Sequence, residues 1–364
     1  MTTVESRHPA LAPYTLASLP LRNRLAVAPM TRVSAEPDGT PTDRMAEYYR
    51  EYAAGGFGLI ITEGAYPDLT HSQGYANQPG MATDRHIAGW RTVVDAVHDE
   101  GATIIAQLMH AGAISQGNAY GYDSIGPSAV LPRGQMMAAY GGTGAWSTPR
   151  AMTAGDIDAA VEGFAAAAIN ARAAGFDGVE IHGANGYLLD QFLTDYTNRR
   201  TDEFGGAVGN RIRLTAAVLS AIRDAVGDFP VGVRLSQTKV NDFTYRWPGA
   251  EDDARVIFEA LDDATYLHIA GDGGSTITRL AREVSGRPVI ANGGLADQRR
   301  ATDILDREHA DVLAFGQAAL ANPDLPHRLR AGVDLAGFDA EMLRPTATLA
   351  SAAEWRRRCD QLPR

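Results

Sequence analysis

Short apolar runs rich in β-branched residues recur along the chain, most of them closed by glycine or a polar turn. They occupy residues 24–29, 58–64, 102–108, 178–183, 230–236, 266–271, 288–294 and 311–317. Runs that stay apolar, rather than alternating with polar positions, predict strands covered on both faces, as in a parallel sheet. Helical patterns lie between them. Thr83 predicts the cap of a helix to about Glu100, with Ile87, Trp90, Val93, Val94 and Val97 at helical spacing and Gly101 as the stop. Thr153 with Asp156 resembles a capping box opening an alanine-rich helix that ends near Gly175. Residues 211–226, 250–263, 276–285 and 296–307 repeat the theme. Strand–helix alternation eight times over predicts an α/β fold, a (β/α)8 TIM barrel in one domain spanning residues 1–364. A doubly wound open sheet is the alternative, because alternation alone does not show closure.

The longest interval separates the third and fourth strands. Its excess, residues 111–150, is rich in Gly, Pro and Ser, with apolar patches at 128–131 and 136–140. Long excursions inside compact domains tend to serve function, so a capping insertion on the catalytic face is expected. Residues 342–364 form a C-terminal tail, basic at Arg356, Arg357 and Arg358, and read as a solvated terminal segment.

Barrel sites sit at the C-terminal ends of strands. The runs deliver there Pro29, Met30 and Thr31; Glu63 and Gly64; Gln107; His182 with Asn185 and Tyr187; Arg234; Asn292, Gly293 and Gly294; and Gly316 with Gln317. Glycines after the seventh and eighth strands mark the usual barrel phosphate position, where backbone N–H groups approach an anion closely. Glycines making tight turns are the lesser alternative. Arg234 on a central strand needs an anion or several acceptors, which a structural ion pair also supplies. His182 and Asn185 can donate hydrogen bonds to one carbonyl oxygen. Tyr187 stays protonated at neutral pH and can act as an acid. Each of the three also has a purely structural reading.

Composition narrows the classes. The 364 residues carry 33 basic and 44 acidic side chains, a net charge of −11. That argues against nucleic-acid or anionic-membrane partners but not against a local phosphate site. A single cysteine, Cys359, rules out an internal disulfide, a CxxC pair and cysteine-ligated zinc or iron–sulfur sites, and no metal is expected. The N-terminal residues lack the apolar core of a signal peptide and no apolar run is long enough to span a bilayer, so a cytoplasmic location is expected.

Residues 179–207 (VEIHGANGYLLDQFLTDYTNRRTDEFGGA) closely resemble the signature of the old yellow enzyme family of FMN-dependent ene-reductases. The resemblance extends to residues 23–33 (NRLAVAPMTRV), Thr62 to Gly64, Gln107, residues 148–151, 233–236, 292–294 and 316–325, in the family's order. By that resemblance, Ala28, Pro29, Met30 and Thr31 pack on and hydrogen-bond the flavin. Gly64 leaves room for its ring, Gln107 binds its pyrimidine edge and Arg234 faces its N1 and C2 carbonyl. Asn292, Gly293, Gly294, Gly316 and Gln317 complete the cofactor site, the glycines and Gln317 at the phosphate. His182 and Asn185 grip the substrate's carbonyl or nitro oxygen, and Tyr187 donates the proton. The implied reaction consumes NAD(P)H and reduces activated C=C bonds of enones, enals or nitroalkenes, in a monomer or homodimer. An oxidative demethylating dehydrogenase on the same barrel, or a flavin-binding redox sensor, are the alternatives. Three departures stand out: Gln317 where the family usually has arginine, Gln237 where it has proline, and Gly209 where it has glutamate. Thr31 sits where some branches carry cysteine.

Overall fold

In the computed structural model, residues 8–271 and 274–360 are described; the first seven residues, 272–273 and 361–364 lie outside them. Eight parallel strands close into a barrel. They are β1 (Leu25–Val27), β2 (Leu59–Ile61), β3 (Thr103–Leu108), β4 (Gly178–Asn185), β5 (Val231–Lys239), β6 (Tyr266–Ala270), β7 (Val289–Asn292) and β8 (Val312–Phe315). Each apolar run coincides with one of them, β4 and β5 continuing two and three residues past the ends of their runs. Closure, which the pattern left open, is made by β8 pairing with β1 from Leu313↔Leu25 to Phe315↔Val27. The strands are buried on both faces, as continuous rather than alternating runs require.

Helices surround the barrel for local reasons visible in the chain. In the helix Asp84–His98, Thr83 accepts a hydrogen bond from the His86 N–H, while Trp90, Val93, Val94 and Val97 are buried. In the helix Ala154–Ala174 both arms of the Thr153–Asp156 capping box are present, worth about 1 kcal/mol, and Gly175 ends the helix at φ +96°. A helix that periodicity did not single out, Asp43–Ala54, is capped by Thr42 and buries Met45, Tyr49 and Tyr52. Trp90 is fully buried against Phe176 and Tyr49, so Trp90→Ala would cost roughly 3–5 kcal/mol.

Two segments outside the barrel pack over its C-terminal mouth. Residues 111–150 pair Ile125–Gly126 with Arg150–Ala151 and carry a short turn, Ala138–Tyr140. The tail is not the solvated segment its composition suggested. Met342, Ala347 and Leu349 are buried, and the Ala347 N–H donates to the Ala139 carbonyl at 2.7 Å. Arg32 donates to the Thr348 carbonyl, the Leu349 N–H to Ser34, and Arg356 pairs with Glu51 on the helix Asp43–Ala54. Apolar spacing from Leu343 to Leu349 outweighs the arginines beyond it. Among the described residues no helix is long and apolar enough to cross a membrane.

Candidate active site

A cavity of about 240 Å³ opens at the C-terminal ends of the strands. Pro29, Met30 and Thr31 line it from the end of β1, Gly64 after β2, and Gln107 from β3. His182, Asn185 and Tyr187 enter from β4 and the turn beyond it, Arg234 from β5, and Gly316 with Gln317 after β8. Four other residues expected in the cofactor site lie outside this lining. Ala28 is buried with its N–H on the Phe315 carbonyl. Asn292 turns away, accepting from Arg234 at 2.9 Å and donating to the Ala314 carbonyl. Gly293 and Gly294, at φ +114° and +67°, form the turn after β7. A Cβ at Gly294 would lie 3.0 Å from Arg300 Nη1.

The end of β4 sets the polar trio. The strand's register with β5 shifts between Gly183 and Asn185, a bulge that re-aims the residues beyond it. Asn185 adopts φ +63°, a conformation asparagine tolerates better than most side chains. Its N–H donates to Ser236 Oγ at 2.9 Å and its carbonyl accepts from Val240. The Ala184 N–H donates to His182 Nδ1 at 3.3 Å, which places the neutral ring's proton on Nε2. Burial, with the charge of Arg234, holds the His182 imidazole well below its usual range, so it is neutral. Tyr187 is buried with its ring 4.8 Å from that of His182. Burial also pushes its hydroxyl up from the ordinary tyrosine range, so it stays protonated. Gly186, between Asn185 and Tyr187, adopts φ +90°, its N–H held by Asp190 Oδ2, and Asp190 in turn forms a buried ion pair with Lys239 at 2.5 Å.

Beneath the cavity, in-register rows of side chains fill the barrel. His182, Arg234 and His268 stand at one level across β4, β5 and β6. One row below stand Gln107, Glu180, Gly232 and Tyr266. Arg234 is buried, and its Nε has no partner in the protein. A buried cationic donor lining a cavity fits a bound group that brings an acceptor atom, as a flavin's pyrimidine carbonyl does. Gly64 lines the cavity, and a Cβ there would lie 2.8 Å from the Met109 side chain.

Reasoning from strand ends missed several residues that line the cavity or touch its lining, because loops bring them. Tyr75 follows β2, and its hydroxyl hydrogen-bonds that of Tyr187. Tyr140, from residues 111–150, packs on Tyr75 with ring centroids 4.7 Å apart. Leu343 and Ala347 come from the tail, and Met109 and Val240 from beyond β3 and β5. The apolar patch at 136–140, already placed on the catalytic face, was the available signal for Tyr140. The Gly-Tyr step at 74–75 was the only one for Tyr75. The departures have structural settings: Gln237 accepts from the Trp247 N–H, and Gln317 is exposed at the cavity's edge. A Cβ at Gly209 would meet Val256 only at 3.7 Å.

Residues 10–336 match the family model of the NADH:flavin oxidoreductase / NADH oxidase family. A Leishmania infantum protein named "Probable flavin mononucleotide-dependent alkene reductase" is 38% identical over 338 residues, covering 89% of this chain and 91% of its own. A flavin oxidoreductase of Emericella nidulans is 34% identical over 372 residues, covering 93% and 95%. Among solved structures, the old yellow enzyme homologue from Zymomonas mobilis superposes with a TM-score of 0.84 at 32% identity, covering 94% of this chain and 98% of that one. Morphinone reductase in complex with tetrahydroNAD gives 0.81 at 36% identity, covering 92% and 93%.

Proposed function

The chain belongs to the NADH:flavin oxidoreductase / NADH oxidase family of FMN-dependent oxidoreductases, and from that premise we propose that it reduces the activated C=C bond of α,β-unsaturated ketones, aldehydes and nitroalkenes. The observation that carries the reading is the convergence of two neutral donors and one protonated phenol on a cavity that also holds a buried cation. FMN, when bound, supplies a two-electron carrier that accepts a hydride from NAD(P)H and delivers one to the substrate's β-carbon. Pro29, Met30, Thr31, Gly64, Gln107 and Arg234 would hold its ring system. Backbone amides after β7 and β8, at Gly293, Gly294, Gly316 and Gln317, would hold its phosphate, with no arginine side chain at position 317 to assist.

His182 Nε2–H and the Asn185 amide donate to the substrate's carbonyl or nitro oxygen. Both are neutral donors positioned before charge develops, so they stabilise an enolate-like oxygen without reorganising. Tyr187 gives its hydroxyl proton to the α-carbon, completing the alkane. Tyr75 holds that hydroxyl in place. Tyr140, Val240, Leu343 and Ala347 shape the walls and limit water.

An anaerobic titration of the purified protein with NADH and NADPH, then reoxidation with a panel of enones and nitroalkenes, tests this. Bleaching by a reduced nicotinamide followed by recovery with stoichiometric alkene reduction is expected. Bleaching with no alkene able to reoxidise the flavin would favour the redox-sensor reading.

A further inference from the structure

Glu180 is buried inside the barrel one row below the cavity, and the reaction proposed above does not use it. Three donors converge on its carboxylate. Gln107 Nε2 donates to Oε1 at 2.8 Å, while Tyr266 Oη at 3.1 Å and His268 Nδ1 at 2.9 Å reach Oε2. Room for the Tyr266 ring comes from Gly232, where a Cβ would lie 2.1 Å from a ring carbon. His268 Nε2 is buried with no partner. An imidazolium would therefore bury an unpaired N–H, whereas a neutral ring leaves only a lone pair there. Geometry thus gives a neutral His268, an ionised Glu180 and a cationic Arg234 one row above. Burial alone would push the Glu180 carboxyl up, but the facing His268, then Arg234 and the Gln107 amide, outweigh that and hold it below the usual range.

We propose that Glu180 is a positioning residue for the cofactor side of this pocket. Its carboxylate only accepts hydrogen bonds, so it takes the NH₂ end of the Gln107 amide and turns the carbonyl end toward the cavity. It also supplies the counter-charge that limits the field Arg234 exerts on the bound flavin, and so sets the flavin's reduction potential. Removing the negative charge stabilises the reduced, anionic flavin over the oxidised form.

This rests on the FMN reading, and the wild-type protein checks that reading first: a preparation that neither carries nor binds FMN defeats it before any variant is made. The test is the two-electron midpoint potential of bound FMN, by spectroelectrochemistry, in wild type, Glu180→Gln and Glu180→Asp. Glu180→Gln is expected to raise the reduced-to-oxidised ratio at a fixed poise tenfold or more, about 30 mV for a two-electron couple. Glu180→Asp keeps the charge but is one methylene shorter; it should hold the wild-type potential while weakening FMN binding several-fold by fluorescence titration. If Glu180→Gln does not fold, Glu180→Gln/His268→Gln gives the new amide a neutral partner and is read the same way. An unchanged potential in the neutral variant, or equal shifts in the Gln and Asp variants, would overturn the proposal.

Discussion

Replacing Tyr187 with phenylalanine removes one oxygen and leaves the ring. The ring's contact with His182 at 4.8 Å, and its place in a site where Tyr187 is 3% exposed, should survive. Two costs can be separated. The Tyr75 hydroxyl loses its partner, which destabilises the fold by about 1–3 kcal/mol if no water replaces it, a fall of a few degrees in Tm. Loss of a positioned general acid costs about 10²- to 10⁴-fold, or roughly 2.7–5.4 kcal/mol of barrier. Anaerobic stopped-flow distinguishes the half-reactions. Flavin reduction by NAD(P)H should stay within about twofold of wild type, while reoxidation by cyclohexenone falls by those two to four decades. Because burial keeps the Tyr187 hydroxyl protonated, the wild-type reoxidation rate should show no loss from this group as pH rises from 6 to 9. Tyr75→Phe leaves the donor present and should lower reoxidation by no more than about tenfold, the loss of one neutral hydrogen bond. Equal losses in both half-reactions of Tyr187→Phe, or a larger loss in Tyr75→Phe than in Tyr187→Phe, would refute the assignment.

His182→Ala with Asn185→Ala removes two neutral donors and should weaken p-chlorophenol binding by about 30-fold, read from the long-wavelength charge-transfer band; an unaltered titration would count against the pair. Gln317→Arg should tighten FMN about tenfold while leaving riboflavin affinity unchanged, measured by flavin fluorescence quenching, because only FMN carries the phosphate. Glu63 is buried beside the Arg32 and Val33 N–H groups, and burial raises its carboxyl from 4.5 to about 7. The folded protein therefore binds this proton more tightly than the unfolded chain. That contribution is complete below about pH 4.5 and is lost as pH rises through 7, at most about 3 kcal/mol. Urea denaturation of Glu63→Gln at pH 5 and pH 8 should show a smaller difference than wild type; an equal difference would remove Glu63 as the cause.

What could be read from the chain divides along the barrel wall. All eight strands were legible because a parallel strand buried on both faces has to be apolar throughout, and chance seldom repeats that pattern. The trio at 182, 185 and 187 was legible because it leaves a strand at a glycine-rich turn. Contacts between distant loops were not. Tyr75 meets Tyr187 across 112 positions of sequence, and no local period encodes such a meeting. Asn292 looked like a cofactor ligand by position, yet its amide serves Arg234 and the Ala314 carbonyl. The tail was misjudged because three consecutive arginines outweighed the apolar positions before them. The helix Asp43–Ala54 escaped notice because it carries tyrosines and methionine where aliphatic residues would mark a helical stripe.

The join between Ala347 and Ala139 has an evolutionary consequence. It is made by backbone atoms alone, so among substitutions at 347 only proline removes its donor. The two wall segments can therefore drift in sequence while staying fastened to each other. The barrel rows below, where Gln107, Glu180, Tyr266 and His268 depend on one another's side chains, have no such freedom. Substrate range can diversify on this chain faster than its chemistry can, and libraries at 140, 343 and 347 should change what is accepted before they change how it is reduced.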